Sequence, residues 1–125
     1  MAKCLSLRQP YAELVVSGRK TIELRKWNTR FRGEFLIHAS KVIYKEICNL
    51  YGIDTSSLIR GAIVGSAVLY DAKLYQSENE FIADQIKHFA DNYSDPRYGF
   101  LLSDAKRFDK PIPLKGRLGF FNVSI

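Results

Sequence analysis

The sequence predicts an α+β domain in which about six short strands form a small mixed β-barrel, or a half-open sheet, with helices packed on its outside. Three observations favour this class. The chain has 125 residues, 46% of them hydrophobic and 13% aromatic, which suits one domain with a core of its own. Apolar and polar residues alternate along several segments, as they do in half-buried strands. Helical segments separate some of these strands, which gives the element order βαββαβαββ.

The first half of the chain contains three predicted strands and two predicted helices. The strands cover 2–8, 21–27 and 34–40, and the helices cover 11–18 and 41–52. In the first strand, Leu5 and Leu7 alternate with Ser6, a short strand's composition. Pro10 suits the start of the first helix, and Gly18 supplies its stop.

The second and third strands each have two distinct faces, because successive side chains of a strand point to opposite sides. In the third strand, Leu36 and His38 share a face. In the second strand, Ile22 and Leu24 are expected to point inward. Its other face then carries Thr21, Glu23, Arg25 and Trp27.

The second half of the chain adds one helix, over 77–93, and strands over 61–75, 98–108 and 113–125. Residues 61–75 are nearly all apolar or small, which predicts a long strand buried on both sides. Ser77 and Glu80 have the spacing of a capping box at the helix start. An apolar stripe of this helix is expected to comprise Phe81, Ile82, Ile86, Phe89 and Tyr93.

Neither a membrane segment nor a metal site is expected from the sequence. No apolar run reaches the roughly 20 residues that a membrane-spanning helix needs. The opening "MAKCLSLRQPY" has too short an apolar stretch for a signal peptide, so a cytoplasmic location is expected. Cys4 and Cys48 lack His or Cys partners at metal-ligand spacings, and we expect buried free thiols. No cofactor is expected.

Positive charge is concentrated in two parts of the chain. Residues 1–45 contain ten Lys/Arg and three Asp/Glu, a net charge of +7. Residues 54–95 contain three and seven, a net of −4, and residues 97–117 contain six and two, a net of +4. If the two basic parts form one surface, that surface attracts phosphate backbones. Charge alone is equally compatible with a solvated basic protein that has no acidic partner.

The segment between Arg19 and Arg32 contains six basic residues and a single carboxylate, that of Glu23. In a regular strand, Arg25 and Trp27 lie on the same face as Glu23. Together they form a plausible base-recognition set, in which the indole stacks, the carboxylate accepts from an exocyclic amine and the guanidinium reaches a base edge or phosphate. The alternative is a surface Glu–Arg pair beside a half-buried Trp, which contributes little energy.

Familiar catalytic constellations are missing from the sequence. His88 falls on the solvated side of the predicted helix and is expected to be inert. His38 lies in mid-strand and is expected to be a hydrogen-bonded structural residue rather than a catalytic base. The sequence has no nucleophile-elbow serine, Gly-rich phosphate loop or HExxH motif.

The segment "SLRQPYAELVVSGRKTIELRKWNTRFRGEFLIHASK" closely resembles the ASCH domain, named for homology to activating signal cointegrator-1. The matching pattern is QPxAxxxxxGxKxxExR followed by WxTxxRG. The residues that fill it are Gln9, Pro10, Ala12, Gly18, Lys20, Glu23, Arg25, Trp27, Thr29, Arg32 and Gly33. The likeness continues through "GAIVGSAVLYDA" and "YGFLLSDAKRFDKPIPLKG", so it covers nearly the whole chain.

The resemblance implies a single PUA-like domain over 1–125, consistent with the strand order. It also implies binding of RNA or DNA, including single strands, in a cleft lined by the motif, and related folds hold single modified bases. RNA is the favoured partner, a modified nucleoside is a further one, and neither a membrane nor a metal ion is expected. The residues expected at the nucleic acid are Arg8, Gln9, Lys20, Glu23, Arg25, Trp27, Arg30, Arg32 and Lys41.

Some small bacterial relatives are amidohydrolases that deacetylate N4-acetylcytidine, which gives an alternative function. Their motif looks like "GRKTITIR", with a Thr three residues after the Lys and a distant Glu. This chain keeps Lys20 but has Glu23 where that Thr would stand. An amidohydrolase would therefore need Lys20 and Glu23 as its catalytic pair, with the carboxylate activating water. Strict alternation places Lys20 on the opposite face from Glu23, so Lys20 must act from the strand's end, after Gly18 bends the chain.

Overall fold

The computed structural model describes residues 1–94 and 97–125. Within them, six strands and four short α-helices follow in the order β1 (Ala2–Gln9), α1 (Tyr11–Val16), β2 (Ile22–Arg25), β3 (Gly33–Ile43), α2 (Lys45–Leu50), β4 (Ala62–Tyr75), α3 (Glu78–Ala83), α4 (Gln85–His88), β5 (Arg97–Pro113) and β6 (Phe120–Val123). A 3₁₀ turn at Thr55–Ser57 precedes β4. The predicted α+β class with six strands is confirmed.

The strands form one mixed sheet in the order β2-β5-β4-β3-β1-β6. Strands β1 and β3 run parallel, and the other neighbours are antiparallel. Strand pairing leaves β2 and β6 as edges within the described residues. The sheet nevertheless curves until its edges approach, because Trp27, just after β2, packs on Phe120 of β6 with ring centroids 6.0 Å apart. The result is the predicted barrel-like, half-open PUA-like fold.

Helix α1 packs into the main hydrophobic core rather than only covering the sheet. The core cluster takes Ala12, Val15 and Val16 from this helix, with apolar residues of β1, β3, β4 and β5. A smaller cluster comprises Cys4, Leu36, Ile63 and Val123. Both cysteines are buried and free, as predicted. No helix in the described part of the chain has the length and apolar character to cross a membrane.

The predicted helix over 77–93 is instead two short helices, α3 and α4. Only part of its predicted apolar stripe is buried: Phe81 lies in the interior, whereas Ile82 and Ile86 are 52% and 82% exposed. The chain changes direction at Asp84, which accepts hydrogen bonds from the Tyr75 hydroxyl and the Lys73 ammonium. These tertiary contacts interrupt the helical period at Asp84. The apolar stripe predicted from regular helical spacing over 77–93 was therefore wrong.

The same interruption buries His88, which was predicted to be solvated and inert. Its ring stacks on Phe81 with centroids 4.2 Å apart, and its Nε2 lies 2.7 Å from the Phe81 carbonyl oxygen. Burial lowers the pKa of His88. The prediction of a solvent-facing His88 was therefore wrong, because it assumed one continuous helix.

Two further boundaries differ from the prediction and shape the cleft described below. Strand β3 continues to Ile43, so α2 begins at Lys45 rather than at 41. Strand β5 continues to Pro113, and residues 114–119 form a connection before β6 rather than the start of a strand. This connection, the 114–119 segment, passes over β1 and β3, because Gly116 lies against Ser6 and His38.

Candidate nucleic-acid interface

An open cleft of about 1300 Å³ lies between the end of β2, strands β1 and β3, and the 114–119 segment. Eight Lys or Arg residues and one carboxylate, that of Glu23, line it among the described residues. The cations are Arg8, Lys20, Arg25, Lys26, Lys41, Arg97, Lys115 and Arg117. The two basic parts of the sequence therefore do meet on one surface.

The floor of the cleft is a buried charged network, which we call the charged floor: Lys20, Glu23 and Arg25. The Lys20 Nζ lies 3.5 Å from Glu23 Oε1, and the Arg25 Nε donates to Glu23 Oε2 at 2.9 Å. Glu23 is only 8% exposed. A buried carboxylate requires such partners, because an unpaired buried charge is costly.

Lys20 reaches Glu23 from a turn that precedes β2, as the strand alternation required. Gly18 has a φ of +82°, and the Lys20 amide then donates to the Leu14 carbonyl. Besides facing Glu23, the Lys20 ammonium donates to the carbonyl oxygens of Ile22 and His88, both at 2.7 Å. Burial lowers the pKa of Lys20, and the charge of Glu23 partly opposes this shift.

Trp27 lies at the edge of the cleft, packed against aromatic residues on one side and partly exposed to solvent on the other. Its ring packs edge-on against Phe100 and Phe120, with centroids 5.4 and 6.0 Å away. The Arg25 guanidinium carbon lies 5.9 Å from the indole centroid. The residue is 37% exposed, so it is half-buried, anchored by aromatic neighbours and able to offer a surface to a ligand.

Exposed cations surround the charged floor, and we call them the basic rim: Arg8, Lys26, Lys41, Lys115 and Arg117. They come from β1, β2's end, β3 and the 114–119 segment. Arg8 hydrogen-bonds the Tyr44 hydroxyl. Exposed cations placed around a cleft suit contacts with phosphate oxygens, which position a nucleic acid without reading its sequence.

Most of the predicted contact residues lie in this cleft, and three do not. Gln9 is buried, and its carboxamide donates to the Ile59 carbonyl at 2.8 Å and accepts from the Glu13 amide at 3.0 Å. Both ends of its carboxamide are thus engaged inside the protein, and its contact with nucleic acid stays a prediction. Arg30 and Arg32 lie on the exposed turn before β3, outside the cleft lining.

The structure adds residues to the cleft that the sequence pattern did not single out. Ser6 and His38 lie opposite each other on β1 and β3, with Ser6 Oγ 2.8 Å from His38 Nδ1. Lys115 and Arg117 enter from the 114–119 segment. The expectation that His38 is hydrogen-bonded is confirmed, and the residue is also buried. The glycines of "KGRLG" were an available signal for a basic loop there, since Gly favours turns over strands.

The donor set of the cleft consists of ammonium, guanidinium, imidazole and hydroxyl groups with one carboxylate. No cluster of three or more metal-ligating side chains occurs among the residues that the structure describes. Hydrogen bonds, charge and the stacking surface of Trp27 are what these side chains offer to a ligand.

The mixed six-stranded sheet with its short helices, curved beside the cleft, defines a small PUA-like domain. The family model of the ASCH domain matches residues 5–111. The chain therefore belongs to the ASCH domain family. A comparison with curated proteins finds no match.

Solved structures support the same fold. The crystal structure of ASCH from Zymomonas mobilis has a TM-score of 0.72 at 16% identity, covering 98% of this chain and 87% of that one. A serine-to-alanine mutant of the same Zymomonas mobilis protein gives 0.71 at 16% identity over the same shares. A tyrosine-to-phenylalanine mutant of it gives 0.66 at 19% identity, covering 90% of this chain and 75% of that one. At these identities the likeness concerns the fold alone.

Proposed function

We propose that this ASCH domain binds nucleic acid, single-stranded RNA in the first place, along the cleft, and receives one base or modified nucleoside at the charged floor. The observation that carries the proposal is the single carboxylate of Glu23, held by Lys20 and Arg25 inside a cleft whose eight other charged lining residues are all cations. A site for simple anions would gain nothing from that carboxylate. A site for a base gains a hydrogen-bond acceptor.

The basic rim supports the phosphate part of the proposal. Its five cations are exposed on several sides of the cleft, so a strand that crosses the cleft can meet several of them. Phosphate contacts of this kind supply affinity without sequence preference. The cleft volume of about 1300 Å³ exceeds the roughly 300–1,000 Å³ of typical small-molecule pockets. This size favours a segment of a nucleic-acid strand over a single small metabolite as the ligand.

The charged floor and Trp27 support the base-recognition part. Glu23 Oε2 is approached at 2.9 Å by both Nε and Nη2 of Arg25, whereas Oε1 has the Lys20 ammonium at 3.5 Å. Because a carboxylate oxygen has two lone pairs, Oε1 can still accept a hydrogen bond from a base amine. The half-exposed indole offers a stacking surface beside it, and stacking tolerates any base.

The alternative function is hydrolysis of an N4-acetylcytidine-like nucleoside by Lys20 and Glu23. The lowered pKa of Lys20 and its 3.5 Å separation from Glu23 are the observations that favour it, since such pairs are typical of active sites. Against it, the Lys20 ammonium directs its protons to two carbonyls and Glu23. Such an ammonium has no free lone pair for attack, and we rank nucleic-acid binding first.

The experiment for the first proposal is a titration of fluorescent single-stranded RNA, followed by anisotropy at increasing salt. With roughly four to six phosphate contacts, the log–log slope of affinity against salt should be about −3 to −4. Titrations with single-stranded DNA and with duplex RNA of matched sequence establish which kind of nucleic acid the domain prefers. A flat salt response would contradict a phosphate-dominated interface.

The experiment for the alternative follows acetate release and cytidine formation from N4-acetylcytidine. We expect little turnover by the wild type. Hydrolysis that disappears in both Glu23→Gln and Lys20→Ala would reverse the ranking.

A further inference from the structure

We propose that Ser6 and His38 form a nucleophile–base pair that gives the cleft a hydrolytic activity toward acyl esters, beyond its binding of nucleic acid. Ser6 Oγ lies 2.8 Å from His38 Nδ1, and His38 Nε2 lies 2.6 Å from the Leu114 carbonyl oxygen. A carbonyl can only accept, so neutral His38 carries its proton on Nε2 and accepts the Ser6 hydroxyl proton at Nδ1. A hydroxyl, a base and a group that orients the base are the parts of an activated nucleophile.

The fold holds this pair in a fixed position. Ser6 and His38 are register partners on the parallel strands β1 and β3, so both side chains leave the sheet on one face. Gly116 closes over them: a Cβ there would come within 2.8–2.9 Å of the imidazole and 2.9 Å of Ser6 Oγ. His38 is 1% exposed, yet both residues line the cleft. The base is thus shielded from water while the pair adjoins the ligand space.

The surroundings define the substrate class. The Arg25 guanidinium donates from Nη2 to the Ser6 carbonyl oxygen at 3.0 Å, which keeps a fixed positive charge beside the serine. A positive charge held at that place favours the oxyanion formed when a hydroxyl attacks a carbonyl. Lys115 and Arg117 of the basic rim lie in the same cleft. We therefore assign as substrate an acyl ester of a phosphate-bearing alcohol.

The reaction balances without any further reagent. The Ser6 oxygen forms a bond to the acyl carbon as its proton passes to His38 Nδ1, and the tetrahedral intermediate collapses with loss of the alkoxide, which takes that proton. Water then attacks the acyl-serine and gives its proton to His38. Collapse releases the carboxylic acid, and the proton returns to Ser6. The net change is ester plus water to acid plus alcohol.

The test uses an alkyl fluorophosphonate, which phosphonylates an activated serine with loss of fluoride. Intact mass and peptide mapping follow adduct formation on the full chain. We expect one adduct on Ser6 in the wild type, none in Ser6→Ala, and labelling slowed by about 10²–10⁴-fold in His38→Gln, which lacks the base. Ser40→Ala is the matched control, because Ser40 lies two residues beyond His38 on β3 and lines the same cleft. It should label at the wild-type rate.

Because His38 is buried, Gly116→Ala serves as a second variant if His38→Gln does not fold. Its added methyl group should displace the pair and slow labelling to a similar degree. Absence of any Ser6 adduct in the wild type, or an unchanged rate in a folded His38→Gln or Gly116→Ala, would overturn the proposal. Labelling of Ser6 and the salt-dependent RNA titration are separate measurements on the wild type, so this proposal and the binding proposal fail independently.

Discussion

The charged floor and the basic rim both contain Lys and Arg side chains but hold them in opposite ways. In the charged floor, Lys20 is 3% exposed, and its ammonium is fixed by two carbonyls and Glu23. The cations of the basic rim are exposed to solvent. Salt screens exposed charges strongly and buried ones weakly. In the proposed interface, the basic rim therefore supplies the salt-sensitive affinity, and the charged floor supplies the fixed hydrogen-bond geometry that selects a base.

The largest expected effect comes from removing the buried cation of the charged floor. Lys20→Met keeps the length of the side chain but leaves the Ile22 and His88 carbonyls without their donor and Glu23 with one cation fewer. We expect the free energy of unfolding to fall by about 3–5 kcal/mol, as when one partner of a buried ion pair is lost. Urea denaturation measures the loss.

Lys26→Met is the matched control, because Lys26 is an exposed member of the basic rim. It should change the free energy of unfolding by no more than about 0.5 kcal/mol. Equal effects of the two substitutions would remove the distinction between floor and rim.

Trp27→Ala is expected to have the next largest effect, on binding more than on folding. A stacked base contributes roughly 1–3 kcal/mol to binding. A fully buried Trp contributes about 3–5 kcal/mol to stability, and Trp27, at 37% exposure, should contribute less. Thermal melts beside RNA titrations separate the two effects. A largely unfolded variant would assign Trp27 to the core rather than to the ligand.

The smallest effects should come from exposed arginines and lysines, and they should differ by location. Alanine at both Lys115 and Arg117 removes two cations of the basic rim. The log–log salt slope should shrink by about 1.4, with the affinity for all sequences weakened alike.

Alanine at both Arg30 and Arg32 should also weaken the affinity for all sequences alike, but less strongly. The Arg32 Nη1 already donates to the Thr29 and Phe31 carbonyls. A larger loss of affinity in the Arg30 and Arg32 variant would place the bound RNA on that turn rather than in the cleft.

The sequence predicted those parts of the fold that depend on local pattern. Strand alternation and the Gly18 stop located β1, α1 and β2 to within a few residues. The split between α3 and α4 could not be predicted, because Asp84 interrupts the helical period through contacts with Tyr75 and Lys73, which lie on β4. Helix propensity depends on neighbouring residues of the chain and not on contacts with another element of the fold.

In the site, too, contacts between residues close in sequence could be predicted, and contacts between residues far apart in sequence could not. Lys20, Glu23 and Arg25 lie within six residues of one another, so strand alternation for Glu23 and Arg25, and the bend at Gly18 for Lys20, sufficed to predict that they meet. Ser6 and His38 are 32 residues apart and meet only because β1 pairs with β3 in parallel. Parallel pairing of those strands is a property of the whole sheet, which one-dimensional alternation does not specify.

The central claim, that Glu23 reads a base inside a cationic cleft, is tested most directly by Glu23→Gln. Glutamine keeps the size of the side chain but replaces an acceptor-only group with an amide that also donates. The measurement compares the affinities of wild type and variant for four RNA homo-oligomers of equal length at one salt concentration, below the melting temperature of both. We predict that the order of preference among the four changes, while average affinity holds or rises because a negative charge has left the cleft. An unchanged order, with all four affinities shifted by one factor or not at all, would contradict base recognition by Glu23.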